Sequence, residues 1–122
     1  GVVQLCEKEG ILLQAYASLG GQDTKDGHWK ALKQPALLDH PAVIKAAKAH
    51  SSSSACVLLR WALQKGWAVI PKSSSKTRIA ANVAVAFELS SDEMAALDAL
   101  DLGGMKGRLC WRRDELRDLE FE

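Results

Sequence analysis

The 122-residue sequence lacks the features that mark several special classes of protein. No apolar run approaches the roughly 18 residues that a transmembrane helix needs, and no signal-peptide pattern opens the chain. The net charge is only +1, so nothing predicts a general attraction to nucleic acid or to an acidic membrane. These absences predict a cytoplasmic protein that binds neither nucleic acid nor membrane.

Cysteine and histidine are also scarce, with three residues of each type. The cysteines lie far apart along the chain, which predicts neither a disulfide framework nor a zinc site. No histidine has a partner at metal-ligand spacing. We therefore predict that no metal is bound and that the histidines are surface or helix-capping residues, namely His28, His40 and His50.

What the sequence does contain is typical of a soluble globular protein, with 48% hydrophobic and 25% charged residues and the length of one domain or less. A helix end over residues 2–9, Gly10 as its cap and an apolar strand over residues 11–17 form one step of a β/α alternation. The strand opens with three consecutive apolar residues, which predicts a parallel strand buried on both faces. A second strand is predicted over residues 67–70.

Helices are predicted on either side of the second strand. Asp39 and Pro41 mark a helix start, and residues 55–65 are apolar nearly all round, as in a heavily buried helix. The serine cluster before residues 55–65 is interpreted as a turn and an N-cap. A further helix is predicted over residues 76–85, and Ser90 with Glu93 forms the capping box of the last one.

The stretch most suggestive of chemistry is residues 69–82, which read VIPKSSSKTRIAAN. An apolar strand stops at Pro71, Lys72 follows, and a helical pattern opens after three serines with Arg78 in its first turn. Helix N-termini carry unpaired N–H groups and favour anions, and the two cations add charge and a planar fork. The stretch predicts a site for a phosphate monoester. The alternative is an ordinary strand-to-helix turn, with a serine as N-cap and two solvated cations.

A family resemblance favours the phosphate site. The order IPKS, serine, arginine, asparagine occurs here together with AYASLG at 15–20, LLDHP at 37–41, VLLRWALQKG at 57–66, FELSSDEM at 87–94 and CW at 110–111. In these motifs the chain resembles the aldo-keto reductases over essentially its whole length. The resemblance implies an α/β fold, the C-terminal portion of a (β/α)8 TIM barrel with about its last two β/α units, extra helices and a C-terminal loop. Residues 1–122 would then be a partial oxidoreductase domain, with residues 103–122 as its tail.

The resemblance also implies the cofactor NADP(H). In the family, residues matching Lys72 and Ser73 hold the 2′-phosphate, the one matching Arg78 contacts that phosphate and packs on the adenine, and the one matching Asn82 bonds the adenine edge. Ala81 stands where the family usually has a glutamate, so one acceptor for the adenine amino group is missing.

Further cofactor contacts are implied at the first strand. Tyr16 matches the tyrosine that stacks on the nicotinamide, and Leu19 and Gly21 match backbone contacts to the pyrophosphate. Trp111 matches a wall of the substrate pocket, although a tryptophan that pins a loose tail is an equal alternative. The implied cofactor-binding set is completed by Ala17, Ile70, Pro71, Ser74 and Ser75.

The family reaction is hydride transfer between the nicotinamide and an aldehyde or ketone, so the resemblance implies a small carbonyl or alcohol substrate and a monomer at full length. The family's catalytic tyrosine, lysine, aspartate and histidine lie on earlier strands, and we expect no catalytic residue in this chain. Two alternatives remain open at this point. One is a truncated, non-catalytic nucleotide-binding or regulatory module, and the other is a barrel-like interaction protein that holds the nucleotide as a sensor.

Overall fold

A computed structural model of the chain describes residues 1–21 and 35–103. The described elements alternate between helices and two short strands. In chain order they are helix α1 (Val2–Lys8), strand β1 (Gln14–Ala15), a 3-10 helix (Leu37–Asp39), helix α2 (Pro41–Ala49), helix α3 (Ser54–Gln64), strand β2 (Ala68–Val69), helix α4 (Lys76–Val83) and helix α5 (Ser91–Asp98).

Strands β1 and β2 pair in parallel, with Gln14 opposite Ala68 and Ala15 opposite Val69. Parallel pairing with helices between the strands confirms the predicted β/α alternation. The prediction of a long first strand buried on both faces is wrong, because Ile11 is 56% exposed and Leu12 is 73% exposed. An apolar strand is buried only when further strands and helices cover it, and the described part of the chain supplies a single partner strand.

The helix starts follow their sequence signals. Ser53 caps α3, its Oγ accepting from the N–H of Cys56 at 3.1 Å. His40 caps α2 through Nδ1 with proline at the first helical position, which confirms the capping role. The predicted capping box of α5 is present, with Ser90 and Glu93 each bonding the other's backbone N–H. Local side-chain to backbone bonds therefore fix where these helices begin.

The hydrophobic core lies where α2 and α3 pack against each other and against the segment leading into α5. Helix α3 buries most of its length, as the apolar pattern predicts. Around this core pack half-buried residues that include Trp61 and Phe87. The buried cluster consists of Val43, Ala46, Ala47, Val57, Leu58, Leu89 and Leu97. No described helix has the length and apolarity that crossing a bilayer requires.

His50 links α2 to α5. It occupies the C-cap position of α2, and its Nε2 donates to the Glu93 carboxylate at 3.0 and 3.1 Å while its ring stacks on Phe87 at 4.9 Å. The hydrogen bond from His50 is the main cause that lowers the pKa of Glu93, and the bond from the Ser90 backbone N–H adds to it. His28, the third histidine, lies outside the described residues.

This pair predicts a loss of stability in acid. The folded-state pKa of Glu93 lies below its ordinary value of 4.5, so its contribution is complete above about pH 4.5 and is lost as the pH falls through the lowered value. We expect Glu93→Gln to lower the free energy of unfolding by about 1 kcal/mol at pH 6. The measurement is urea unfolding of the complete protein, with and without the substitution, between about pH 6 and pH 3. A difference that stays constant down to pH 3 would contradict the assignment.

Candidate functional site

A cleft of about 580 Å³ lies at the carboxyl ends of β1 and β2. Because the two strands are parallel, the segments that follow them meet at the same edge of the sheet, where ligands bind in parallel α/β folds. One wall follows β1, another follows β2 and continues into α4, and a third comes from the start of α3. The lining residues are Ala17, Ser18, Leu19, Gly21, Leu38, Ser53, Ala55, Ile70, Pro71, Lys72, Ser73, Thr77, Arg78, Ala81 and Asn82.

The turn after β2 is shaped by its own serines. Ser73 Oγ accepts from the N–H of Ser75 at 3.1 Å, which tightens the turn. Ser75 Oγ accepts from the N–H of Arg78 at 3.4 Å and caps α4. The expected N-cap is therefore present, yet Ser73 also lines the cleft. The turn after β2 therefore has the bonds of an ordinary capped turn, and the same turn supplies part of the cleft lining.

The cleft is basic on the α4 side. Lys72 and Arg78 line it, and Arg78 and Asn82 lie one helical turn apart on α4. Within the described part of the chain, no carboxylate lines the cleft. Hydroxyl groups of Ser73 and Thr77 lie in the same wall. Two cations, neutral donors and the N-terminus of a helix suit an anionic group with several oxygens, such as a phosphate.

The opposite rim is formed by the turn after β1. Ala17 has a left-handed φ of +52°, and its carbonyl accepts from the N–H of Gly20 at 2.9 Å. This conformation is uncommon for a residue with a Cβ and marks a turn held by its surroundings. It brings Leu19 and Gly21 into the cleft lining together with Ala17, as the predicted contact set requires.

Three predicted cofactor contacts do not line the cleft. Tyr16 is 59% exposed beside it, Ser74 is exposed in the turn, and Ser75 is engaged as the helix cap. A wall that would cover the free face of Tyr16 is absent among the described residues. Trp111, the predicted wall of the substrate pocket, lies outside the residues that the structure describes.

Several lining residues were missed by the sequence reasoning. Ser53 and Ala55 come from the start of α3, and Leu38 comes from the 3-10 helix. They lie far along the chain from the turn that follows β2, so their spacing carries no local signal. Thr77 was within reach of prediction, because it precedes Arg78 in the first turn of a helix expected to bind an anion.

A second cavity of about 590 Å³ lies between α1, α3 and the end of α5. Three of its polar side chains bond one another, since Asp98 accepts from Trp61 Nε1 at 2.8 Å and from Lys65 Nζ at 2.6 Å. The bond from Lys65 is the main cause that lowers the pKa of Asp98. Among residues 1–21 and 35–103 no cluster of histidine, cysteine or acidic side chains could hold a metal ion.

Comparison with known protein families gives a match over nearly all of the chain that the structure describes. The model of the "Aldo/keto reductase family" matches residues 1–102. A probable NAD(P)H-dependent D-xylose reductase of Arthroderma otae is 41% identical over 105 residues, which cover 84% of this chain and 32% of the relative. Human aldo-keto reductase family 1 member C3 is 38% identical over 101 residues, which cover 82% and 31%.

Solved structures agree with the sequence matches. The aldose reductase of Schistosoma japonicum superposes with a TM-score of 0.65 at 35% identity, covering 80% of this chain and 28% of that one. An aldo-keto reductase from a deep-sea metagenome superposes with a TM-score of 0.71 at 28% identity, covering 88% and 35%. The chain spans about a third of the length of the curated relatives that it matches.

Proposed function

Because this chain belongs to the aldo/keto reductase family, we propose that it is the C-terminal part of a (β/α)8 barrel, with its last two strands and the cofactor-binding end. The aldo-keto reductases among the solved structures that it resembles are barrels of this kind. Two parallel strands cannot close a barrel, which needs eight. The parallel pair, the share of each relative that the chain covers and the order of its motifs all support this position.

The cofactor that we propose is NADP(H). The observation that carries the proposal is the convergence of Lys72, Ser73, Arg78 and Asn82 on one cleft, whose lining within residues 1–21 and 35–103 includes no carboxylate. A 2′-phosphate needs dedicated cations, because burying it without a partner is expensive. The planar fork of Arg78 suits phosphate oxygens, and the Asn82 amide suits the donor and acceptor edge of adenine. Relatives named as NAD(P)H-dependent reductases support the same cofactor.

The reaction that we propose is reduction of an aldehyde or ketone to the alcohol, or its reverse. The reduced nicotinamide supplies the hydride when the cofactor is bound. The residues of this chain bind and orient that cofactor: the α4 side of the cleft holds the phosphate and adenine end, and the turn after β1 contacts the remainder through Ala17, Leu19 and Gly21. Tyr16 and Trp111 are proposed to contact the nicotinamide and the substrate.

We propose that no residue of this chain is the acid that protonates the carbonyl oxygen. Tyr16 is the only tyrosine, and it is assigned to cofactor stacking. The chemistry would then depend on residues that precede this segment in the complete barrel. The second candidate is a non-catalytic nucleotide-binding module, which the basic cleft would serve without a catalytic residue.

One experiment separates these two proposals. The protein is isolated from its source cells, its intact mass is measured, and oxidation of NADPH is followed with a panel of aldehydes. A mass well above 13.2 kDa together with aldehyde-dependent NADPH oxidation supports the reductase. A protein of this mass that binds NADPH without oxidising it supports the binding module. Absence of NADPH binding contradicts both.

Ala81 gives a prediction about affinity. Its side chain lines the cleft beside Asn82, so a longer acidic residue there enters the space proposed for adenine. We expect Ala81→Glu to tighten the binding of NADPH about fivefold, because a carboxylate accepts a hydrogen bond from the adenine amino group. The control is Ala80→Glu, an exposed neighbour that does not line the cleft. Unchanged affinity, measured by fluorescence titration, would mean that another acceptor already fills this role.

A further inference from the structure

Helix α3 carries three polar side chains that follow one another at intervals of one helical turn. All three face the backbone of residues 81–89. Each of the three side chains donates a hydrogen bond to a carbonyl that lies 25 residues further along the chain. The pairs are Cys56 Sγ with Ala81 O at 3.2 Å, Arg60 Nη1 with Val85 O at 3.3 Å, and Gln64 Nε2 with Leu89 O at 3.1 Å. We call these three side chains the α3 ladder.

Two side chains of the ladder, Arg60 and Gln64, hold each other in place. Gln64 Oε1 accepts from the N–H of Leu89 at 2.7 Å and from Arg60 Nε at 3.0 Å. Gln64 therefore pairs with both backbone groups of Leu89, and Arg60 is held in place by Gln64 while it bonds Val85. The segment from residue 84 to residue 90 contains neither helix nor strand, so these bonds replace the ones that regular structure would give its backbone.

The third side chain of the ladder, Cys56, lies behind the cleft. Cys56 is 4% exposed, and its Sγ accepts from Ser53 Oγ at 3.0 Å while donating to the carbonyl of Ala81. Ser53 and Ala55 line the cleft on the α3 side, and Ala81 and Asn82 line it on the α4 side. The thiol therefore joins the two walls that would enclose the base.

Helix α4 depends on such bonds because it has little else to hold it. None of its residues is buried, and its larger apolar side chains are half exposed or more, with Ile79 at 50% and Val83 at 78%. Yet α4 carries Arg78 and Asn82, whose positions decide how a nucleotide is held. Apolar packing within the described residues does not fix α4, and the ladder ties its last turn and the following segment to the buried helix α3.

We propose that Cys56, Arg60 and Gln64 are positioning residues for the nucleotide, acting through α4. This inference rests on the proposed function, since it assumes that the cleft binds the adenosine end of the cofactor. The ladder fixes the carbonyls of Ala81 and Val85, and through them the rotation and distance of α4 relative to α3. Loss of one of these hydrogen bonds lets α4 shift. Nucleotide binding is then weaker, although no group that touches the nucleotide has changed.

The test uses the protein as its source cells produce it, with adenosine 2′,5′-bisphosphate as the probe. Two variants, Cys56→Ala and Arg60→Met, each remove the hydrogen bond of one ladder side chain. A third variant, Cys56→Ser, keeps a hydrogen-bond donor at residue 56. The matched control is Trp61→Phe, which removes a hydrogen bond from the same helix to Asp98 and leaves the ladder intact. Calorimetric titration gives Kd, thermal unfolding gives Tm, and hydrogen exchange of residues 76–89 is measured without nucleotide.

We expect Cys56→Ala and Arg60→Met to raise Kd about fivefold and to speed exchange over residues 76–89, as the loss of one hydrogen bond predicts. Cys56→Ser should recover Kd to within about twofold, because it keeps a donor in place. Trp61→Phe should lower Tm by a similar amount without changing Kd or that exchange. A merely structural role would instead make Kd follow Tm in all variants, and that outcome would overturn the proposal, as would an unchanged Kd in both ladder variants.

Failure of the proposed function gives a different result. If the unsubstituted protein does not bind the bisphosphate, the cofactor assignment is wrong, and the exchange data still decide whether the ladder holds α4. Faster exchange over residues 76–89 in the ladder variants than in Trp61→Phe supports positioning of α4. Equal exchange in all of them overturns it.

Discussion

Arg78→Ala is expected to raise the Kd for NADPH at least tenfold and the Kd for NADH by much less, about threefold, through lost packing on the adenine. The two cofactors differ only in the 2′-phosphate, and charge-assisted hydrogen bonds to such a group contribute about 1.5–3 kcal/mol. Arg78 lines the cleft from the first turn of α4, beside Lys72 and Ser73. Fluorescence titration of the complete protein with each cofactor makes the comparison direct.

The matched control is Lys76→Ala. Lys76 is an exposed cation in the same turn of α4 but is absent from the cleft lining, so it tests the effect of net charge alone. We expect its removal to change both affinities by about twofold or less, since exposed charges are screened by solvent. Equal weakening of NADPH and NADH by Arg78→Ala would refute the phosphate assignment.

The second large effect is expected for the isolated 122-residue chain, which should unfold without a cooperative thermal transition. Its two described strands are two residues long and pair only with each other. Apolar side chains that a complete barrel would cover are exposed, with Leu12 at 73% and Ile11 at 56%. A two-stranded sheet is marginal by itself, and open apolar edges favour aggregation. Differential scanning calorimetry in dilute solution tests this directly.

The control for this prediction adds the strands that would cover the exposed apolar side chains. The chain is fused behind the corresponding first two-thirds of the D-xylose reductase of Candida tropicalis, a relative that is 38% identical over 104 residues. We expect the fusion to show a single sharp transition, because the added strands cover the exposed apolar residues. A sharp transition of the isolated chain would contradict the prediction and would favour an independent nucleotide-binding module.

The ladder and the cleft together describe how a weakly packed helix can serve a binding site. Helix α3 buries five of its eleven residues, whereas α4 buries no side chain. Hydrogen bonds from α3 can hold α4 in place without burying its side chains. The outward face of α4 therefore stays accessible to a ligand. The proposed binding residues Arg78 and Asn82 lie on α4 and line the cleft.

The sequence by itself determined the features that depend on neighbouring residues. The starts of α2, α3 and α5 were predictable from Asp39 with Pro41, from the serine cluster and from Ser90, because capping acts over two or three residues. That His40 supplies the cap of α2 came from the structure. The buried face of α3 followed from its apolar pattern, whereas the phosphate site at Lys72 and Arg78 stays a prediction. These signals act over one or two turns of chain, so no distant partner is needed to interpret them.

The tertiary structure alone decided which distant residues meet. It brought Ser53 and Ala55 to the cleft, paired His50 with Glu93, and aligned the polar edge of α3 with carbonyls 25 residues away. It also left Ile11 and Leu12 exposed, although their apolar run predicted burial. Burial and long-range pairing depend on what the rest of the chain places against a residue. An apolar run states only that a cover would stabilise it, and the packing of the folded chain determines whether that cover is there.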